Sequence, residues 1–429
     1  MKFLKPKTIR SAMIPSFLAH WVLGMGTIEC PFGRPRPVIS LCWSIVHFTL
    51  YLNIVLLANK EDPTENGLGN VSFNSFQISR FINLIAVTIF LYFGHRKAKD
   101  VAICLDKLSS IDKMLITIGI PNEYGLVLKY QMIQLTEVLI FVGITLIYII
   151  RWFGYEAWSK TATFAGVICA EYLMMYNHII NGTFAALIRH IGGRFRHLNA
   201  HLRQLSSRDI ITGPFLPISN YLFAPFKLEI HTNALSTRVT DKESVAHVVW
   251  NTRRIHRELC TIARTLNEAF GIQLLVSMST SFILIITLLY TAYLYFSVVT
   301  AEYSTFSIWT FVLILNWLIF SCSSIPYVAY VCSITSAEAQ NIGEVIYELI
   351  TPTTSKQAKD EVHSFSLQLV RKPLEFTACG FFALENGVIR DMISSVTTYL
   401  VIMIQLRSTY DVPVFASTAV PSQALNSTS

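Results

Sequence analysis

The chain has 429 residues, of which 52% are hydrophobic and only 14% charged, and its mean hydropathy is +0.48. A soluble domain carries about 25% charged residues, so a mostly wetted surface is excluded, and the apolar runs argue for one continuous membrane bundle rather than two or three soluble domains. The net charge of +7 does not point to nucleic acid, because the basic residues lie between the apolar runs, as in the cytoplasmic loops of membrane proteins.

Residues 1–37 open with Lys2, Lys5, Lys7 and Arg10 and continue into an apolar patch over 13–28. Pro15 and His20 interrupt the patch and no small-x-small cleavage site follows. The segment therefore reads as a cytoplasmic stretch packed against the membrane or the bundle, not as a signal peptide. Seven apolar stretches come next, at 38–58, 76–94, 132–152, 162–188, 272–300, 308–334 and 384–406. Each is near the roughly 20 residues needed to cross the hydrocarbon core. Glu171, Asn177, His178 and Asn181 interrupt the fourth, and Arg390 and Asp391 the seventh. The expected class is an all-α integral membrane protein with seven transmembrane helices.

Charge sets the expected orientation. Of the 34 Lys and Arg, 28 lie in residues 1–37 and in the second-to-third, fourth-to-fifth and sixth-to-seventh connections. The alternate side holds only Lys60, Arg151, Lys160 and Arg407. The positive-inside rule then puts the N-terminus in the cytoplasm, and seven spans leave the 407–429 tail outside the cell. Asn70-Val71-Ser72, a glycosylation sequon, falls on the outer side.

The cytoplasmic connections carry helical stripes. Ile191, Phe195, Leu198, Leu202 and Leu205 follow the fourth span, Ile255, Leu259, Ile262 and Leu266 precede the fifth, and Val101, Leu105, Leu108 and Leu115 follow the second. Such spacing predicts amphipathic helices that continue the spans and pack into a cytoplasmic anchor bundle. Within 189–271, residues 206–244 hold Pro214, Pro217 and Pro225 without periodicity and read as a flexible loop. The expected division is thus 1–37, a six-span ligand-binding unit over 38–334, an anchor segment over 335–383, the seventh helix over 384–406 and the tail. The eight cysteines show no CxxC pattern, which leaves packing as their role. No internal repeat of the transporter kind is present.

Polarity inside the spans marks a candidate ligand pocket. Tyr172 and Tyr176 are one turn apart on the fourth span and Glu171 and His178 two turns apart, so each pair shares a face. Trp152, Tyr155 and Trp158 lie near its outer end, and Tyr290, Tyr293, Trp309 and Trp317 come from the fifth and sixth spans. Aromatics with a few convergent polar groups suit a small molecule, although an interfacial aromatic belt explains Trp152 and Trp309 equally well. Ionisable groups inside a membrane are costly, which favours a functional role for Glu171 and His178. No second ligand accompanies His178, so no metal is expected, and no nucleophile constellation suggests an enzyme or a cofactor.

The C-terminal end is the most informative. Phe376-Thr-Ala-Cys379-Gly380-Phe-Phe-Ala-Leu384 forms a Gly-containing break, followed by an apolar helix with Tyr399, Ile402 and Gln405 spaced three apart. A buried amide such as Gln405 needs either a hydrogen-bonding partner on a neighbouring helix or a water-filled cavity. Thr398-Tyr399, five apolar residues and Gln405 resemble the seventh-span signature of insect gustatory receptors, Thr-Tyr-(five hydrophobic)-Gln-Phe, and Ala378-Cys379-Gly380-Phe381-Phe382 is also similar to that family. The match departs at Leu406, where Phe is typical and the related odorant co-receptors carry Leu. The resemblance implies a ligand-gated cation channel of the plasma membrane, a homotetramer or a heterotetramer with related receptors, opened by a small-molecule tastant. It implies that the last helices line one pore, with Ile402, Gln405 and Leu406 at the gate and Tyr399 at the pore or a subunit contact. An apolar constriction that blocks ions by dewetting fits these residues. Asp391 is a candidate for an acidic ring at the pore vestibule, opposed by Arg390 beside it. Leu400 is less like the sugar and carbon-dioxide branches, where Glu is frequent, than the fructose-type, bitter-type and broadly expressed ones.

The alternative is a seven-helix chemoreceptor that signals through a partner protein without conducting ions; G-protein-coupled receptors keep the N-terminus outside, against the charge count. Epitope tags at each end of the chain test this: in unpermeabilised cells only the C-terminal tag is expected to stain. Surface staining of an N-terminal tag would overturn the orientation.

Overall fold

The computed structural model describes residues 6–25, 36–59, 70–153, 161–208, 242–302, 308–348 and 355–410. These form ten helices: α1 (Ile9–Ala12), α2 (Ile14–Val22), α3 (Pro37–Ala58), α4 (Asn70–Thr117), α5 (Tyr124–Phe153), α6 (Thr161–Arg208), α7 (Lys242–Glu302), α8 (Ile308–Tyr347), α9 (Lys356–Arg371) and α10 (Asn386–Tyr410). Among the described residues there is no strand, only an isolated bridge between Thr377 and Ala383.

Four helices far exceed the length of a membrane span. α4 and α6 have 48 residues each, α7 has 61 and α8 has 40. At 1.5 Å per residue α7 is about 90 Å long, against a hydrocarbon core about 30 Å thick. Apolar spans and amphipathic stripes are therefore parts of single continuous helices. The stripe residues are buried as their spacing predicts: Ile191, Phe195, Leu198 and Leu202 on α6, Ile255, Leu259, Ile262 and Leu266 on α7, and Leu105, Leu108 and Leu115 on α4. The side chain of Leu205 lies outside the described residues.

Six helices (α3, α4, α5, α7, α8 and α10) contain a window apolar enough to cross a membrane. The fourth expected span, within α6, falls short because of its polar residues. The bundle resolves this by wrapping α6 between α3, α5, α7 and α8. From Glu171 to Asn199 only Arg196 is exposed. A helix shielded from lipid on all sides escapes the cost of showing polar groups to hydrocarbon.

Several boundaries move from their sequence-based positions. Residues 206–208 and 242–244, read as loop, are helical, and the rest of that loop lies outside the described residues. Leu384 precedes the last helix, which starts at Asn386. Cys104, Cys169, Cys260 and Cys332 are buried, whereas Cys42, Cys322 and Cys379 are exposed, so packing accounts for only the first four. Cys30 is not among the described residues. The N-terminal segment packs onto the bundle: Ile9, Ala12 and Met13 are buried, Arg10 pairs with Asp106 of α4 at 3.0 Å, and His20 meets Thr183 of α6 at 3.0 Å.

Beyond the apolar stretches, one buried network ties α4, α5 and α6 together. The fully buried Asp112 carboxylate meets Arg194 Nε at 2.8 Å and His190 Nε2 at 3.1 Å, and accepts the Tyr124 hydroxyl at 2.8 Å. Arg194 also donates to the Pro121 carbonyl at 3.0 Å. Burial pushes the His190 imidazole below its ordinary pKa despite the neighbouring carboxylate. Removing one member of a buried pair leaves an uncompensated charge, which costs about 3–5 kcal/mol. Asp112→Ala is therefore expected to lower the thermal unfolding temperature of the detergent-solubilised protein sharply, and Asp112→Asn to lower it less. An unchanged melting curve for Asp112→Ala would show that the network contributes nothing to stability.

Candidate functional site

Two regions carry the chemistry. The first is a cavity of about 50 Å³ between α4, α6, α7 and α8, room for about four waters. Ser79, Ile82 and Asn83 line it from α4, Ala170 and Leu173 from α6, and Trp317 from α8. α7 supplies Thr280, Ile283, Leu284, Thr287 and Leu288, which recur at helical spacing along one face. The wall is apolar with four hydroxyl or amide side chains and the Trp317 indole.

Of the residues singled out in the sequence, only Trp317 lines this cavity. Glu171 lies just behind it, buried between Thr145 of α5 and the Trp317 indole. His178, on the same face of α6, stacks on Phe320 at 4.4 Å and approaches Glu137 of α5 at 3.2 Å. Tyr172 and Tyr176 share another face, turned towards α3 and α4: Tyr172 stacks on Tyr51 at 4.9 Å and donates to the Leu23 carbonyl at 2.8 Å, and Tyr176 stacks on Phe90 at 5.4 Å. Tyr290 is buried on α7 and Tyr293 beside it is exposed. Trp309 is exposed with the Arg151 guanidinium 5.7 Å from its ring centre, an arrangement suited to an interfacial belt. Tyr155 and Trp158 lie outside the described residues, as do the side chains of Trp152 and Asn70; Asn70 begins α4. Among the described residues no cluster of three or more His, Cys, Asp and Glu side chains suits a metal ion.

The cavity residues of α4 and α7 escaped the sequence reading. Ser79, Asn83, Thr280 and Thr287 are ordinary polar interruptions of apolar helices, and only the juxtaposition of four helices makes them converge.

The second region is α10 and the turn before it. Ala378 N–H donates to the Phe382 carbonyl at 3.0 Å and Leu384 N–H to Phe376 at 2.8 Å, which closes a tight turn at Cys379 and Gly380 with φ of 52° and 79°. Those values lie in the left-handed region, which glycine adopts freely and cysteine does not. The turn docks on α7: the Asn267 side-chain oxygen accepts from Thr377 N–H at 3.3 Å, and a Cβ on Gly271 would stand 3.3 Å from the Cys379 nitrogen. Small size at 271 is thus what allows the approach.

α10 then leaves along α7. Val396 packs with Ile285 and Ile286, with Met392, Met403 and Phe282 alongside. Tyr399 meets Phe282 of α7 edge-on at 6.0 Å and is still 52% exposed, at the flank between α7 and the outward face of Ile402 and Gln405. Asp391, Ser394, Thr398, Ile402 and Gln405 form an exposed stripe opposite α7. Arg390 pairs with Asp391 at 3.4 Å on the exposed surface. Leu406 is helical, with its side chain outside the described residues. Only 6% of the α10 apolar window is buried, against 50% for α7.

Comparison with known proteins agrees with this architecture. A family model described as 7tm chemosensory receptor matches residues 14–410. The chain is 22% identical over 407 residues to putative gustatory receptor 28a of Drosophila melanogaster, covering 85% of this chain and 84% of that protein. It is 21% identical over 354 residues to putative gustatory receptor 28b of the same species, covering 77% and 68%. In structure it resembles the insect olfactory receptor OR5 from Machilis hrabei in complex with eugenol, with a TM-score of 0.58 at 11% identity over 93% of this chain and 98% of that one. At that identity the likeness establishes the fold.

Proposed function

We propose a function from this premise: the chain belongs to the 7tm chemosensory receptor family and is a multi-pass receptor of the plasma membrane, not an enzyme. In our reading it is a gustatory receptor acting as a ligand-gated, non-selective cation channel. A small-molecule tastant opens it, and the pore is formed by α10 from each of four subunits, identical or related.

The observation that carries the reading is the near-complete exposure of α10. Its inner side rests on α7, while its other side presents Asp391, Ser394, Thr398, Ile402 and Gln405 to the surroundings. A helix with hydroxyls and an amide on its exposed face is a poor match for lipid but suits a water-filled passage shared between subunits. Thr398 and Ser395 donate their hydroxyl protons to the carbonyls of Ser394 and Asp391, at 3.0 and 2.8 Å. Their lone pairs are then left to face the surroundings, which favours cations. Ile402 supplies the apolar constriction, and Gln405 the amide that wets it when α10 rotates.

α7 supplies the coupling. Thr280, Ile283, Leu284 and Thr287 face the cavity, while Phe282, Ile285, Ile286 and Leu289 face α10. Occupancy of the cavity thus bears on the same helix that holds the pore helix in place. The ligand site proposed here is this cavity, with Trp317 in its wall and Glu171 behind it.

In cells expressing this chain alone, Gln405→Ala is expected to reduce agonist-evoked current or alter its block, and Ile402→Thr to raise current in the absence of agonist by hydrating the constriction. Currents of unchanged size, selectivity and gating in both variants would remove these residues from the pore.

A further inference from the structure

The cavity wall contains no charged side chain, yet one lies directly behind it. Glu171 is 9% exposed, and its Oε1 has no hydrogen-bond partner. Among the described residues no Lys, Arg or His pairs with it. Thr145 and the Trp317 indole N–H approach the carboxylate as its polar neighbours, and neither satisfies Oε1. A carboxylate held in a low-dielectric interior with an unpaired oxygen is costly, and what offsets the cost best is a cation.

Trp317 joins the two places, because the same indole lines the cavity and faces Glu171. An aromatic face that fronts a buried carboxylate attracts an organic cation twice, through the ring quadrupole and through the charge behind it. The remaining wall separates the possible cations. Leu173, Ile283, Leu284 and Leu288 offer apolar surface, and Asn83 and Thr287 neutral hydrogen-bonding groups. A bare metal ion finds no set of oxygen ligands here, and a polyol finds too few polar partners.

We propose that the cavity takes a small, otherwise apolar molecule bearing a protonated amine, with the ammonium against Trp317 and neutralised by Glu171. This rests on the reading of the cavity as the ligand site but not on ion conduction. A bound amine supplies the counter-ion that Glu171 lacks, so its binding draws on an interaction that a neutral isostere cannot make.

The test uses the purified full-length chain and calorimetric titration with ethylamine, propylamine and isopropylamine, sized to the cavity, each beside its neutral alcohol counterpart. At least one amine is expected to bind on the order of tenfold more tightly than its alcohol, as a cation held on a desolvated aromatic ring with a carboxylate behind it provides. Glu171→Gln is expected to erase that difference while leaving the alcohol's affinity in place. The comparison in the unaltered protein needs no variant, so it stands even where the glutamine protein does not fold. Equal affinities within every pair, no binding by any amine, or an unchanged preference in Glu171→Gln overturns the proposal. Current recordings with the same pairs separate it from the channel reading: amine binding without current supports the amine and sinks the channel, and equal currents from amine and alcohol do the reverse.

Discussion

The constraint from which the rest of the structure follows is that α6 is too polar to face lipid. Glu171, Asn177, His178 and Asn181 share one side of the helix, but Tyr172, Tyr176 and Thr183 carry hydroxyls on the opposite side, so no rotation hides them all from hydrocarbon. Only enclosure does, and α3, α5, α7 and α8 provide it. The polar residues then become ties to the neighbours: Asn177 donates to Thr280 of α7 at 3.1 Å, and Asn181 to Ser277 of α7 at 2.9 Å and Ser324 of α8 at 3.2 Å. Bonds of this kind are worth roughly 0.6 kcal/mol each in a membrane. Their number and their spread over several partners fix the order of helices around the centre. The Asp112 network does the same beyond the apolar stretches, where α4, α5 and α6 meet at one buried carboxylate.

How much of this was legible in the sequence depended on whether a signal belonged to one helix or to several. Stripe residues such as Phe195, Leu259 and Leu108 announce their burial because a periodic apolar face needs cover whatever the partner is. The polar interruptions of the fourth span announced a special helix for the same reason. Which neighbour each residue meets was not legible. Tyr172 and Tyr176 looked like pocket residues and instead pack on Tyr51 and Phe90, since a shared face on an isolated helix says nothing about what stands opposite. The cavity is the extreme case: Ser79, Asn83, Thr280 and Thr287 carry no periodic mark, and only the crossing of four helices makes a site of them.

The turn before α10 shows a motif acquiring a physical cause. Cys379 and Gly380 reverse the chain in left-handed conformations, and the reversal sits against the backbone of α7 because residue 271 has no side chain. The start of α10 is therefore fixed to a helix that also forms one wall of the cavity. A long helix clamped at such a point transmits a displacement along its length better than a loop does, because its hydrogen bonds resist local compression. α7 is placed to act in this way, with one face to the cavity and the other to Val396, Met403 and Tyr399.

α6 and α10 are opposite solutions to the same problem. One hides its polarity inside a subunit. The other carries Ser394, Thr398 and Gln405 on a face that its own subunit leaves uncovered. Among the described residues that face is left exposed, while Val396, Met392 and Met403 hold the opposite side of α10 against α7. In the proposed channel, other copies or related chains arranged about a common axis cover it, and hydroxyls and amides turned to such an axis hold water where apolar residues would exclude it. In that reading Ile402 stands as the dry point in a wet stripe. A rotation of α10 against α7 by a fraction of a turn would then exchange Ile402 for its polar neighbours at the proposed constriction, which is a small motion for a helix held on one side only.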